Sequence, residues 1–186
     1  MLITTAYRKE LEQIHQEDED WGTGPRGNII RICNFLHANN VSRLLDYGCG
    51  KGVNLPWFLP PQISVSNYDP AIPQWSADPE PEDYLLCTDV LEHVEPECIE
   101  DVIKHIISKF NKKALLGISL VTAKKLLPSG RNSHILVKPI EWWIGLLQRF
   151  CIIEQIEFVN GIVYHKYSNG DPKKFLRKDV LITLNK

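Results

Sequence analysis

The chain has 186 residues, 44% of them hydrophobic and 24% charged, a composition that excludes wholesale disorder and fibrous repeats and suits a single compact domain over 1–186. Lys and Arg number 21 against 23 Asp and Glu, a formal charge of -2, without the strongly basic balance that nucleic-acid binders often carry. The longest apolar run, residues 114–121, is far short of the roughly 20 residues that span a bilayer, so no membrane insertion is expected. The start, MLITTAYRKELEQIHQ, has no signal-peptide core. Cys33, Cys49, Cys87, Cys98 and Cys151 are odd in number with no close pair, so a cytoplasmic protein with free thiols and no zinc knuckle is expected.

Tyr7, Leu11 and Ile14 recur at helical spacing within residues 4–17, which predicts an amphipathic helix. The acidic cluster Glu17, Asp18, Glu19, Asp20 and then Trp21-Gly22-Thr23-Gly24-Pro25 break it. A second apolar pattern, Ile29, Ile30, Cys33 and Leu36, runs to a stop at Asn39-Asn40. Short strands are predicted at 41–47, 63–68, 84–88, 114–121, 152–158 and 179–184. Helices are predicted at 96–110, with Ile99, Val102, Ile103, Ile106 and Phe110 inward, and at 139–150 behind Pro139. Strands alternating with helices predict an α/β fold with a mainly parallel, doubly wound sheet.

The sharpest local signal is Leu44-Leu45-Asp46-Tyr47-Gly48-Cys49-Gly50-Lys51-Gly52, a strand, an acid and then alternating glycines. Such a turn brings backbone close to a ligand without Cβ interference and can present N–H groups to it. A dinucleotide fingerprint needs glycine where Val53 stands, and no Lys-Ser/Thr follows as in a phosphate-binding P-loop.

The stretch LLDYGCGKG resembles the first motif of class I S-adenosylmethionine-dependent methyltransferases. The resemblance implies a Rossmann-like sheet of about six strands with the last antiparallel. It implies a glycine turn (Gly48, Cys49, Gly50, Gly52) against the methionine part of the cofactor, and Asp46 meeting its amino group. It also implies that Asp69, with Pro70 after it, ends the second strand as the ligand of both ribose hydroxyls. One carboxylate can accept from two adjacent hydroxyls. Cys87-Thr88-Asp89-Val90-Leu91-Glu92-His93-Val94 is similar to the DVLEHV segment of many small-molecule and lipid methyltransferases, which adds Asp89 and Val90 to the cofactor set. LPSGRNSHILVKPIEWW resembles a stretch of a small bacterial and phage branch that shares DYGCGKG and CTDVLEH.

The interval from Asp69 to Asp89 is 20 residues, too short for the family's usual helix, strand and helix, so the third-strand region is expected to be reduced. Asp78 is the nearest candidate for an adenine contact, with Trp75 or Ile72 to cover the ring. Residues 1–40 are expected to form N-terminal helices or a lid, on which His15 sits, and residues 122–138 a substrate loop. In that loop Arg131 and Asn132 suit a polar substrate, and His134, with His93 second, suits a general base; no metal site is assigned. The Asp-Pro-Pro-Tyr-type tetrapeptide of DNA amino-methyltransferases and a Pro-Cys nucleophile are both missing. The expected activity is O- or N-methylation of a polar small molecule or glycan precursor. An RNA- or nucleotide-directed enzyme, using Lys124, Lys125, Arg131 and the basic run 173–178, is the alternative, as is a non-catalytic binder of the cofactor.

Overall fold

The computed structural model describes residues 1–19, 21–22, 28–53, 55–166 and 172–186, with backbone alone for 160–166 and 172–178. Consecutive burial along three strands decides the architecture. In β1 (Arg43–Tyr47) Leu44 and Leu45 are fully buried, in β3 (Glu82–Thr88) so are Leu85, Leu86 and Cys87, and β4 (Phe110–Ser119) is buried from Ala114 onward. Neighbouring residues point to opposite faces of a sheet, so both faces must be covered. With β2 (Ser64–Tyr68), β5 (Ile152–Lys166) and β6 (Pro172–Asn185), the sheet has the order β2-β1-β3-β4-β6-β5. β1 to β4 pair in parallel, and β6 runs antiparallel to both its neighbours. The expected doubly wound sheet, six-stranded with its last strand antiparallel, is the one observed.

Alternate residues feed two cores. Leu45, Leu85 and Leu116 meet α4 (Ile99–Ser108) and α5 (Ile140–Leu147) on one face, where Trp143 is fully buried. Leu44, Leu86 and Leu115 meet α2 (Ile29–Ala38) and the single turn α3 (Leu55–Phe58) on the other. α4 buries Ile99, Val102, Ile103 and Ile106, the i, i+3, i+4, i+7 stripe of a core-facing helix, each worth roughly 1.5–3 kcal/mol of apolar burial. It stops at Ser108, and Phe110 opens β4 instead of closing the helix as the periodicity predicts. The reason is that Phe110 enters the same core as the helix stripe, so the apolar pattern runs unbroken across the junction.

Between β2 and β3 the chain makes only one 3-10 turn, Pro73–Trp75, so the third-strand region is reduced as expected and β2 forms the sheet edge. All five cysteines are free. Among the described residues no helix is long and apolar enough to cross a membrane.

The N-terminal helix α1 (Thr5–Glu17) crosses toward the carboxyl ends of the strands. Thr4 caps it, its hydroxyl accepting from the Tyr7 N–H at 3.2 Å. The buried Glu95 accepts from the Thr4 N–H at 2.8 Å and from the Thr4 hydroxyl at 2.7 Å. At the other end Lys51 Nζ donates to the carbonyls of Asp18 and Glu19 at 2.9 and 3.0 Å, placing a cation where the helix dipole is negative. The Glu95→Ala variant leaves the Thr4 donors unpaired, at a cost of about 1–3 kcal/mol. We expect a lower thermal midpoint and faster amide exchange across residues 4–17; unchanged exchange there would show that Glu95 does not anchor the helix.

Candidate active site

Strand order reverses between β1 and β3, since β1 is followed by β2 on one side and paired with β3 on the other. Ligands collect beyond the carboxyl ends of strands at such a switch point. There the glycine turn follows β1. Gly48 has φ +75°, and a Cβ on it would lie 2.4 Å from Val90 Cγ2. Gly50 has φ +55°, and its Cβ would lie 2.5 Å from the Gly22 carbonyl oxygen. Neither position admits a side chain, which explains the alternating glycines of the sequence.

The turn is tied to the end of β2. The N–H groups of Gly48 and Cys49 donate to the Tyr68 carbonyl at 2.7 and 3.1 Å. Asp69, buried, accepts from the Gly50 N–H through one oxygen and from the Ala71 N–H through the other, each at 2.9 Å; Pro70 lies half-buried between them. Burial raises the Asp69 carboxyl above its ordinary range despite these bonds. Asp46, near the end of β1, is pushed up to about 7 by burial and by neighbouring Asp69, and no hydrogen bond joins its carboxyl to the described residues. Burial likewise raises the Cys49 thiol. Asn67 Oδ1 and Trp75 Nε1, both buried and unpartnered, lie beside Gly52: a Cβ there would be 2.8 Å from Asn67 Nδ2 and 3.1 Å from Trp75 Nε1.

Across the cleft, Asp89 follows β3 with φ +63°, its N–H donating to the Gly117 carbonyl at 3.0 Å. The 3-10 turn Leu91–His93 then presents His93, whose Nδ1 lies 2.8 Å from the Ser133 carbonyl. His134 Nδ1 lies 2.6 Å from the Val121 carbonyl, and the two rings meet edge to face at 4.7 Å. Burial holds His93 below the usual imidazole range; Asp89 opposes this and His134 adds to it. A groove of about 460 Å³ opens beside them, lined by Glu95, Pro96, Glu97, Arg131, Asn132, His134 and Ile135.

A methyltransferase-domain family model matches residues 21–152. The chain belongs to the methyltransferase-domain family. No curated protein matches the sequence. Among solved structures, the fold is similar to 1,6-didemethyltoxoflavin-N1-methyltransferase of Burkholderia thailandensis, determined with 1,6-didemethyltoxoflavin and S-adenosylhomocysteine (15% identity, TM-score 0.64, 97% of this chain and 87% of that one). It is also similar to the N-methyltransferase NodS of Bradyrhizobium japonicum with S-adenosylhomocysteine (15%, 0.61, 96% and 97%) and to TehB of Haemophilus influenzae (14%, 0.54, 95% and 67%).

Membership in a methyltransferase family makes S-adenosylmethionine the cofactor, and the turn has the chemistry to hold it. Two adjacent buried carboxyls, one without a partner, suit a ligand with an ammonium group and vicinal hydroxyls, and the orphaned Asn67 and Trp75 atoms leave further polar capacity on the same side. Of the two residues expected on the cofactor from the DVLEHV segment, Val90 packs on Gly48 and Asp89 lies beside His93 and His134. Asp78 is taken up elsewhere: its carboxylate binds His105 Nε2 and Lys109 Nζ, both at 2.8 Å.

The two residues expected to meet substrate have other partners. Asn132 Oδ1 accepts from the N–H groups of Ala123 and His134, and its Nδ2 donates to the Ala123 carbonyl, so it fixes the loop that carries His134. Arg131 pairs with Glu10 at 3.0 Å and lies over the Tyr7 ring. Trp21, which the sequence gives only as part of a helix break, touches both His15 and His93 edge to face at 6.3 and 5.9 Å. His15 packs against Gly22, which in turn covers Gly50. Asp20, Thr23, Gly24 and Pro25, and the side chains of the basic run 173–178, lie outside the described residues.

Because the folded state holds Asp46 above the pKa of an unfolded aspartate, folding binds a proton between about pH 4 and 7, and stability falls as pH rises through that window. The Asp46→Asn variant of the ligand-free protein should therefore melt higher at pH 8, by at least about 2–4 °C, the shift that 1 kcal/mol gives at this size. Its advantage should vanish near pH 4. A variant that melts lower at both pH values would show that the carboxylate is stabilised by a partner.

Proposed function

We propose that the protein transfers the methyl group of S-adenosylmethionine to an oxygen or nitrogen of a polar small molecule or glycan precursor. In this reading 1–186 is one methyltransferase domain, residues 1–40 are its lid and 122–138 its substrate loop. The observation that carries the acceptor side is the His93–His134 pair. Each ring has Nδ1 on a backbone carbonyl, which leaves the Nε2 lone pairs at the edge of the cleft.

The cofactor supplies a methyl group already activated on a sulfonium. The chain has to hold it, align an acceptor and take up a proton. Asp69 accepts from the ribose hydroxyls with the lone pairs that Gly50 and Ala71 leave free. Asp46 meets the amino group, an ion pair that lowers its carboxyl again. The turn of Gly48, Cys49, Gly50 and Gly52 lies against the methionine portion, with Val90 behind it. His134 Nε2 draws the proton from the acceptor, and Asn132 keeps that imidazole in place.

A small acceptor is favoured over a long polyanion by the pairing of the loop's cations: Lys125 bonds Asp18 at 2.5 Å and Arg131 bonds Glu10. Two of the similar folds are N-methyltransferases, one of them determined with a small heterocycle.

Titration calorimetry with S-adenosylhomocysteine should give binding to the wild type and at least about 10-fold weaker binding to Asp69→Ala, since a hydrogen-bonded carboxylate contributes roughly 1.5–3 kcal/mol. Equal affinities would remove the ribose assignment. His134→Ala should bind the same ligand unchanged. Turnover should fall by roughly 10²- to 10⁴-fold on the acceptor found by incubating cell extract with methyl-labelled cofactor and fractionating the product. Label in the RNA fraction, not among small molecules or glycans, would replace the acceptor class proposed here.

A further inference from the structure

We infer that Asp89, His93 and His134 form a site for one divalent first-row transition-metal ion at the acceptor end of the cleft. One potential ligand atom from each lies within 4.8 Å of the other two. Among the described residues no hydrogen bond joins the carboxylate to either ring or the rings to each other, so three donors of the metal-binding type converge without satisfying one another. An ordinary polar cluster forms such bonds.

The histidines carry an independent mark. Nδ1 of His93 is 2.8 Å from the Ser133 carbonyl and Nδ1 of His134 is 2.6 Å from the Val121 carbonyl. Only an Nδ1–H can donate there, so both rings are held in the tautomer whose free lone pair is on Nε2. Metal-ligating histidines are oriented by such bonds from the far nitrogen to a carbonyl. The loop is fixed in turn by Asn132, which accepts from the His134 N–H at 3.0 Å. Asp89 is kept at φ +63° by its N–H bond to Gly117, an unfavourable conformation outside glycine that recurs where side chains are held for function.

Two imidazoles and one carboxylate suit Mn, Fe, Co or Zn and leave coordination positions open for an oxygen-bearing acceptor. For this chemical consequence the inference rests on the methyl-transfer reading: an acceptor hydroxyl on the ion loses its proton to solvent more readily, and His134 then acts through the ion instead of on the proton. The binding itself does not depend on that reading.

The test uses the full chain, stripped with a chelator and titrated with Co²⁺ by calorimetry and visible absorption, beside a separate titration with S-adenosylhomocysteine. The expected result is one equivalent of Co²⁺, a rise in thermal midpoint on loading, and affinity at least about 10-fold weaker in His93→Ala, His134→Ala and Asp89→Asn. Stripped variants that melt with the stripped wild type exclude misfolding as the cause, and Ser64→Ala, exposed at the start of β2 and away from the cluster, serves as a binding control. No stoichiometric uptake by the wild type, or uptake unaltered in the double variant His93→Ala/His134→Ala, overturns the site. S-adenosylhomocysteine binding without Co²⁺ uptake overturns the metal alone and leaves His134 as base. Co²⁺ uptake without cofactor binding supports the metal site and overturns methyl transfer.

Discussion

The carboxylate of Asp69 is the joint on which the cleft depends. One oxygen holds the Gly50 N–H of the turn after β1, and the other holds the Ala71 N–H of its own turn after β2. Two strands that pair in parallel along their length are thereby locked at their carboxyl ends as well. The cost is a buried negative charge, visible in the raised pKa values of Asp69 and of Asp46 beside it. A backbone bond to each oxygen stabilises the charge only in part. The site is therefore poised for a cation, and the ligand-free protein tolerates the strain because the surrounding sheet is buried on both faces.

The second constraint is the N-terminal segment. Helix α1 has few buried residues of its own, Tyr7 and Ile14, so contacts along its length hold it in place. These are Glu95 at its start, Arg131 on Glu10, and Lys51 and Lys125 on Asp18 and Glu19. Three of these four residues also belong to the site: Glu95 and Arg131 line the groove and Lys51 is part of the glycine turn. Helix α1 and the groove thus share their contacts, and any movement of α1 must disturb the groove wall. The Lys125 and Arg131 pairs lie at the surface and are individually weak, so the buried Glu95 and the Lys51 bonds to the last carbonyls of the helix carry most of the hold.

Much of this was legible in the sequence, for a definite reason. β1, β3 and β4 each hold adjacent buried apolar residues, Leu44-Leu45, Leu85-Leu86-Cys87 and Ala114-Leu115-Leu116, and the glycines at 48, 50 and 52 all have positive φ, a local backbone requirement, so pattern alone reports them. The shortened interval after Asp69 could be counted directly and appears as a single 3-10 turn. The end of α4 was not legible because Phe110 shares its core. Trp21 gave no signal because its partners, His15, His93 and Lys125, are dispersed along the chain. Arg131 and Asn132 have the chemistry of substrate contacts and line the groove, but their bonds to Glu10 and to the Ala123 backbone join positions far enough apart that the sequence gives no sign of them.

The same dispersal explains His93 and His134. They are separated by 41 positions, and neither lies in a metal-ligand spacing motif; what brings them together is the sheet. The Leu136 N–H donates to the Glu92 carbonyl at 2.9 Å, while Glu92 itself, fully buried, accepts from the Ser119 N–H at 2.7 Å at the end of β4. Glu92 therefore stitches the turn after β3, the end of β4 and the loop that carries His134 into one unit, with a histidine on each side of it. A carboxylate so placed reads in sequence as one more charge in DVLEHV. In the fold it sets the distance between the two imidazoles, and with it whether they can act on one proton or one ion together.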